Sequence, residues 1–355
     1  MQKEMLQPNN WFGPSRLVPD SHFDWLRQLP TNTYCLLWQS IPNTDLPEGY
    51  DLYIVSFREC IAIDWLKRQG RLAKAPIVLL HNENNYNVII ENVHFYNYYV
   101  WHYQVNTILD WNPDPTPKNI KYKASAFCNR ITQSKLLIFT KLAEELGLVN
   151  CLLKLGTWLE EKNVHNKERT GFDPIDEVSD IFWRKYFGTE YKFDDWNPED
   201  NFQRCTANTS NIAYTEAAVN FTNESFHYSL MQEEDKEEYI WPGPFLTEKT
   251  LICLAAGTAF VPVGQFDTYG TLSKLGLRFD YGFDTSWDKD PGNLTRMVGI
   301  FNLIKSFKGY TANELYQLTA DSSQYNLDMI KAGVFYKQCE QVNQSTRAEI
   351  IDKFK

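Results

Sequence analysis

Thr247-Glu248-Lys249 opens an apolar stretch that reads as a helix through Leu251, Ile252, Leu254 and Ala255 and stops at Gly257. The first turn of a helix carries free N–H groups and the positive end of the peptide dipole, so it attracts phosphate. A lysine in that turn can neutralise a pyrophosphate, and a glutamate beside it can accept hydrogen bonds from both hydroxyls of a ribose. Thr247, Glu248 and Lys249 therefore suit the nucleoside diphosphate half of a nucleotide sugar. They read equally as a plain capped helix with a surface acid and base, and the residues alone do not separate the two. A second group, His81-Asn82-Glu83-Asn84-Asn85-Tyr86, follows the apolar run Pro76 to Leu80. Open parallel sheets bind ligands beyond the carboxyl ends of their strands. Glu83 and His81 thus stand where a general base could take the proton of an attacking hydroxyl. Glu59 is a rival, and a loop acid making only turn hydrogen bonds is the alternative reading of Glu83.

Other groups carry less. Asp288-Lys289-Asp290 has the Asp-x-Asp form of a metal-diphosphate site, but beside Pro291-Gly292 it reads as a turn. Asp194-Asp195, Glu160-Glu161 and the run Gln232 to Glu238 read as solvated. His94 and His102 have no recognisable ligand spacing. Seven cysteines are scattered without a C-x-x-C pair, which speaks for reduced thiols and a cytoplasmic protein rather than zinc or a disulfide framework. There is no Walker loop, nucleophile elbow or H-E-x-x-H. No metal and no obligatory cofactor are expected beyond a nucleotide-sugar co-substrate.

The elements that must position these residues alternate. Thr33 to Trp38, Asp51 to Phe57 and Pro76 to Leu80 read as buried strands, with a helix over Cys60 to Gln69. Three prolines in Trp111 to Lys118 mark a boundary. Beyond it Tyr122 to Cys128 reads as a strand and Ser134 to Leu146 as a helix. A helix–strand–helix–strand unit then runs from Thr247 to Phe279, its strands Ala259 to Val263 and Leu277 to Phe279. Alternation of this kind predicts an α/β chain with mostly parallel sheets. The expected domains are 1–115 (acceptor side), 116–310 (nucleotide-sugar side) and 311–355 (helices packing back toward the first).

Three runs in order, Asn220-Phe221-Thr222-Asn223-Glu224-Ser225, Pro244-Phe245-Leu246-Thr247-Glu248-Lys249 and Ala256 to Gly264, resemble the donor-binding block of the α-1,3-fucosyltransferase-like glycosyltransferases. They are also similar to glycosyltransferase-like proteins of bacteriophages. Lys123 to Arg130 looks like the strand and arginine that open the donor domain there. The resemblance covers roughly residues 120–300. It implies a GT-B fold, two Rossmann-like domains facing across a cleft. It further implies that Arg130 and Lys249 hold the diphosphate, Glu248 the ribose, and Asn223 and Glu224 the donor sugar or its phosphate. The gap before Thr247 is longer than the family pattern, a departure that bears on Glu224.

With 355 residues, 43% of them hydrophobic, the chain has material for two cores. A net charge of −10 excludes a uniformly basic nucleic-acid surface. Local strips stay open, and Lys118, Lys121, Lys123, Lys135 and Lys141 form one. The aromatic stretch Phe95 to Trp111 reads as packed helix or strand, with a stacking platform for bases as the alternative. The longest apolar run, Leu251 to Val263, is too short to span a bilayer. The expectation is a glycosyltransferase moving a sugar from a donor such as a UDP-sugar to an acceptor hydroxyl. Hydroxymethylated phage DNA comes first as acceptor, which would require base flipping. A surface glycan, a protein hydroxyl or a non-catalytic binding module are the alternatives.

Overall fold

A computed structural model describes residues 20–39, 45–57, 61–81, 89–112, 118–128, 133–155, 209, 212–223, 230–231, 239–240, 243–244, 246 and 248–355. The fold is α/β, with two four-stranded parallel sheets. Each belongs to its own compact unit. The first comprises Met1–Thr107, Tyr228–Phe245 and Gly333–Lys355, the second Ile108–His227 and Leu246–Ala332.

In the first unit β1 (Thr33–Gln39), β2 (Leu52–Phe57), β4 (Ile77–His81) and β5 (Val93–Asn97) lie in that order, all parallel. Alternate side chains go to opposite faces. Tyr34, Leu36, Tyr53, Val55, Ile77 and Leu79 pack with Trp65 and Leu66 of α1 (Ile63–Leu72). Cys35, Leu52, Ile54, Val78 and Leu80 pack under Phe23, Trp25 and Leu26 of a 3-10 helix, Asp20–Gln28. Covering on both faces explains the unbroken apolar runs read as buried strands. The expected helix at Cys60 begins later, at Ile63, because Ile61–Ala62 (β3) pairs antiparallel with Tyr239–Ile240 (β10), which pairs with Leu230–Met231 (β9). The aromatic stretch is packed: Tyr96, Tyr98, Tyr99 and Trp101 are buried around the start of α2 (Trp101–Trp111).

In the second unit the order is β11 (Ala259–Val263), β8 (Ala217–Asn223), β6 (Tyr122–Cys128), β7 (Cys151–Leu155). The chain lays down β6, then β7 on one side, then returns to place β8 and β11 on the other. The winding therefore reverses between β6 and β8. Right-handed crossovers then send the connecting helices to opposite faces. On one face α3 (Gln133–Leu146) packs with α7 (Asn293–Ser306); on the other α5 (Glu248–Ala255) packs with α8 (Ala312–Lys331). Between them in the chain lie α4 (Ile212–Thr215) and α6 (Thr268–Lys274). Pro262 is tolerated within β11 because that strand is outermost in the order. The expected strand at Leu277 to Phe279 is absent: the segment makes no ladder, and Asn326 of α8 instead bonds the backbone of Arg278 on both sides.

The compact units differ from the expected domain bounds. Residues 228–245 belong to the first unit, and the C-terminal helices divide between the two. The capping box of Thr311 and Glu314 starts α8 in the second unit. Gly333, at φ 69°, breaks the helix in a left-handed turn, and α9 (Val334–Phe354) belongs to the first. Asn343 of α9 clasps the backbone of Tyr99, donating to its carbonyl and accepting from its N–H, both at 2.8 Å. Among the described residues no helix is long and apolar enough to cross a membrane.

Candidate functional site

The reversal between β6 and β8 marks a place on the second sheet where the connections after two neighbouring strands leave in opposite directions. A crevice at the carboxyl ends of such strands is where open α/β sheets take ligands. Asn223 is the last residue of β8 and is fully buried. Its Nδ2 donates across the reversal to the Phe127 carbonyl of β6 at 3.2 Å, and at 3.4 Å to Phe221. Two carbonyl acceptors fix which way the amide is turned, since only the NH₂ can donate. Its Oδ1 is buried and has no hydrogen-bond partner among the described residues. Beneath it, Asn220 donates to Ser125 Oγ at 2.8 Å and Ser125 to the Ala213 carbonyl at 2.9 Å, a polar seam joining the two strands.

The first turn of α5 is brought to this edge. Thr250 Oγ1 donates to Thr222 Oγ1 at 3.2 Å, and Thr222 precedes Asn223 in β8. The helix runs from there to Ala255 at the opposite edge, so its free amides begin beside the end of β8. Lys249 is half-buried in that turn. A second cation, Lys135, is buried in the first turn of α3, the helix that follows β6. The sequence suggests a basic strip that includes Lys135; the burial of Lys135 is set by packing in three dimensions, which lysine spacing does not announce.

Of the expected donor residues, Asn223 and Lys249 are thus brought to one edge. The backbone of Glu248 begins α5, but its side chain lies outside the described residues, as do Arg130, Glu224 and Thr247 altogether. In the chain Arg130 follows β6 by two residues and Glu224 follows Asn223 directly.

A third helix start, that of α6 after β11, is already filled. Asp288 Oδ1 accepts from Thr268 N at 3.2 Å and Oδ2 from Tyr269 N at 2.7 Å. The expected open turn at Asp288-Lys289-Asp290 is a 3-10 turn, Ser286–Lys289, with Asp288 only 1% exposed. Burial pushes its carboxyl up to about 7, against the pull of the two amides.

In the first unit His81 ends β4 as expected at a carboxyl edge, but it is buried, and its carbonyl accepts from Tyr98 N at 2.7 Å. Glu83 and Glu59 lie outside the described residues. The order β1-β2-β4-β5 contains no reversal, so these four strands make no switch point. Next to β5 lies a polar cluster that local spacing could not reveal. His22 Nδ1 faces Arg347 Nη2 at 2.9 Å and Tyr103 Oη at 2.8 Å. Arg347 also reaches Glu340 at 2.7 Å and Tyr98 Oη at 3.1 Å, and His102 Nε2 lies 3.8 Å from Glu340. A guanidinium can only donate, so His22 Nδ1 is an acceptor and its proton sits on Nε2. Burial first, then Arg347, holds both His22 and His102 down to about 3.

The lysine strip is not a free basic surface. Lys118 donates to the carbonyls of Tyr214 and Ala256 at 2.7 Å each and to Thr258 Oγ1 at 2.6 Å. Lys121 pairs with Glu216 at 2.7 Å and Lys141 with Glu145 at 2.6 Å. Lys123 donates to the carbonyls of Phe307 and Lys308. A cavity of about 320 Å³ opens beside Lys118, lined by Ala255, Gly257, Tyr316, Gln324 and Lys331 among others. It lies at the amino ends of the strands, away from the switch point. The three protons of Lys118 are already matched by three acceptors, so that ammonium serves the fold.

No family model, curated protein or solved structure matches the chain.

Proposed function

We propose that the protein is a glycosyltransferase of the GT-B kind, using the second unit for a nucleotide-diphosphate sugar and the first for an acceptor hydroxyl. What supports this reading above all is the coincidence of the switch point, the buried Asn223 carboxamide and the start of α5 at one edge of the second sheet. The diphosphate would lie on the α5 amides with Lys249, and Arg130 beside it. Glu248 would take the ribose. Asn223 Oδ1 can only accept, so it suits a donor hydroxyl better than a phosphate oxygen. The start of α6 is excluded as the phosphate cradle because Asp288 occupies its amides.

In the reaction the acceptor oxygen attacks the anomeric carbon and the bond from that carbon to the phosphate oxygen breaks. The nucleoside diphosphate leaves with the electron pair, and a base takes the acceptor proton. Glu83, or His81 two residues before it, is assigned that base. The leaving group's charge would be met by the fixed α5 amides with Lys249 and Arg130, and fixed amides need not reorganise as that charge develops. Hydroxymethylated DNA remains the first acceptor to try, although its expected lysine strip is engaged within the protein.

The test is thermal denaturation in the presence of UDP-, GDP-, CDP- and dTDP-sugars. A ligand at a hundred times its Kd stabilises by about 2.7 kcal/mol and raises the melting temperature visibly. One donor class should do so, and slow release of its nucleotide should follow. A screen in which no nucleotide sugar shifts the transition rejects the proposal.

A further inference from the structure

The segment after β11 is fastened by two buried charges that the proposed chemistry does not use. Gly264 begins it beside the switch-point strand, because Val263 and Asn223 are register partners. Arg296 of α7 is fully buried and donates Nε to the Gly264 carbonyl at 3.3 Å and Nη1 to the Asp290 carbonyl at 2.9 Å. Asp288 holds the amides of Thr268 and Tyr269 through its carboxylate, and that of Asp267 through its own carbonyl. Thr268 Oγ1 donates to the Gln265 carbonyl at 3.0 Å. The fastening is itself clamped: a Cβ on Gly299 of α7 would lie 2.3 Å from the Trp287 Cβ, so Trp287 sits directly on that helix.

The charged and titratable groups facing Asp288 are Asp267 from the loop, Tyr269 from α6 and Arg296 from α7. Tyr269 keeps its phenolic proton, which it donates to the Phe260 carbonyl. Burial and Asp267 oppose the ionised carboxylate, while two amides and Arg296 favour it. We propose that Asp288 is a positioning residue whose proton sets how firmly residues 264–269 are held at the carboxyl edge of the second sheet. Its consequence for a donor rests on the functional reading above.

The sign follows from linkage. The carboxyl titrates at about 7 when closed in, against an ordinary value of 3.8. The closed segment therefore binds the proton more tightly than the opened one. Its opening is most suppressed near pH 4, rises by up to about tenfold per pH unit, and levels off above about pH 7.

The experiment is amide hydrogen exchange on the full chain at pH 5 and pH 7, each rate divided by its intrinsic chemical rate. The protection of Thr268 and Tyr269 should fall by at least about tenfold between the two pH values, while that of Phe221 in β8 stays level. Asp288→Asn keeps an acceptor oxygen but cannot ionise, so its protection should change little. A flat profile in the unaltered protein, which needs no variant, overturns the proposal, and so does an equal fall in Asp288→Asn. UDP and GDP titrations at the same two pH values supply the second readout. Binding that weakens with pH more in the unaltered protein than in Asp288→Asn adds support to the positioning role. Protection that falls as stated while neither nucleotide binds upholds the role of Asp288 and removes the donor reading instead.

Discussion

Asn223 shows what a single residue contributes at the switch point. Its carboxamide ties β8 to β6 through Phe127, and the burial that makes this bond effective also makes its loss expensive. Asn223→Ala leaves the Phe127 carbonyl without this donor and should lower stability by about 1–3 kcal/mol, measured by urea unfolding. Lys249 differs in kind. On the donor reading its ammonium meets phosphate, so Lys249→Ala should weaken nucleoside diphosphate binding by about ten- to a hundredfold, the worth of a charge-assisted hydrogen bond. Calorimetric titration with UDP and GDP separates the cases, because an ordinary capped helix would lose neither nucleotide. Lys249 was legible in the sequence as a cation in the first turn of a helix, and Asn223 only through the resemblance of its run. Asp288 and Arg296 were not, because their burial depends on α6 and α7 folding over them.

At the scale of elements, α9 is the instructive case. Its apolar content is modest, and beside the buried Phe335, Cys339 and Ile350 it is held by named polar contacts: Asn343 on Tyr99, Thr346 on the Asn97 carbonyl at 2.8 Å, and Arg347 on His22. The two histidines beside Arg347 make this attachment acid-labile. Each is held at about 3 in the folded protein against 6.5 as a free group. The unfolded chain binds protons that the folded one refuses. Their share of stability is therefore complete above pH 6.5 and is lost as the pH falls from there toward 3. The first unit should lose a few kcal/mol, as an order of magnitude, between pH 6.5 and 4. His22→Gln should flatten that slope, with the urea midpoint at the two pH values as the measurement. An unchanged slope in the variant would assign the acid sensitivity elsewhere.

For the molecule as a whole, the sequence disclosed the class of fold, while the compact units divide the chain at other places than the expected bounds. Alternating apolar runs such as Asp51 to Phe57 and Ala259 to Val263 name strands because a doubly covered parallel strand needs nothing polar. They do not say which strands are neighbours, so the reversal between β6 and β8 appears only in three dimensions. The same limit hid the discontinuity of the first unit, which draws on residues 228–245 and on 333–355 after more than a hundred residues spent in the second. A contiguous block of C-terminal helices was the simpler expectation, and the left-handed Gly333 is the small local feature that divides it.

That discontinuity yields a prediction on the whole chain. Ending the chain after Ala332 removes Asn343, Thr346, Arg347 and the buried Ile350 at one stroke. The backbone of Tyr99 loses both partners on Asn343, and one face of the first sheet loses part of its cover. Each polar group stranded in this way costs about 1–3 kcal/mol, and the uncovered apolar area adds to it, against a total stability of only about 5–15 kcal/mol for a domain. The first sheet should therefore unfold while the second, whose strands, α5 and α8 all lie within its own unit, keeps its structure. Hydrogen exchange resolved by segment reads this directly: protection should vanish over 33–39, 52–57 and 77–81 and persist over 122–128, 217–223 and 259–263. Protection kept across both sheets would show that α9 is an accessory to the first unit rather than part of its core.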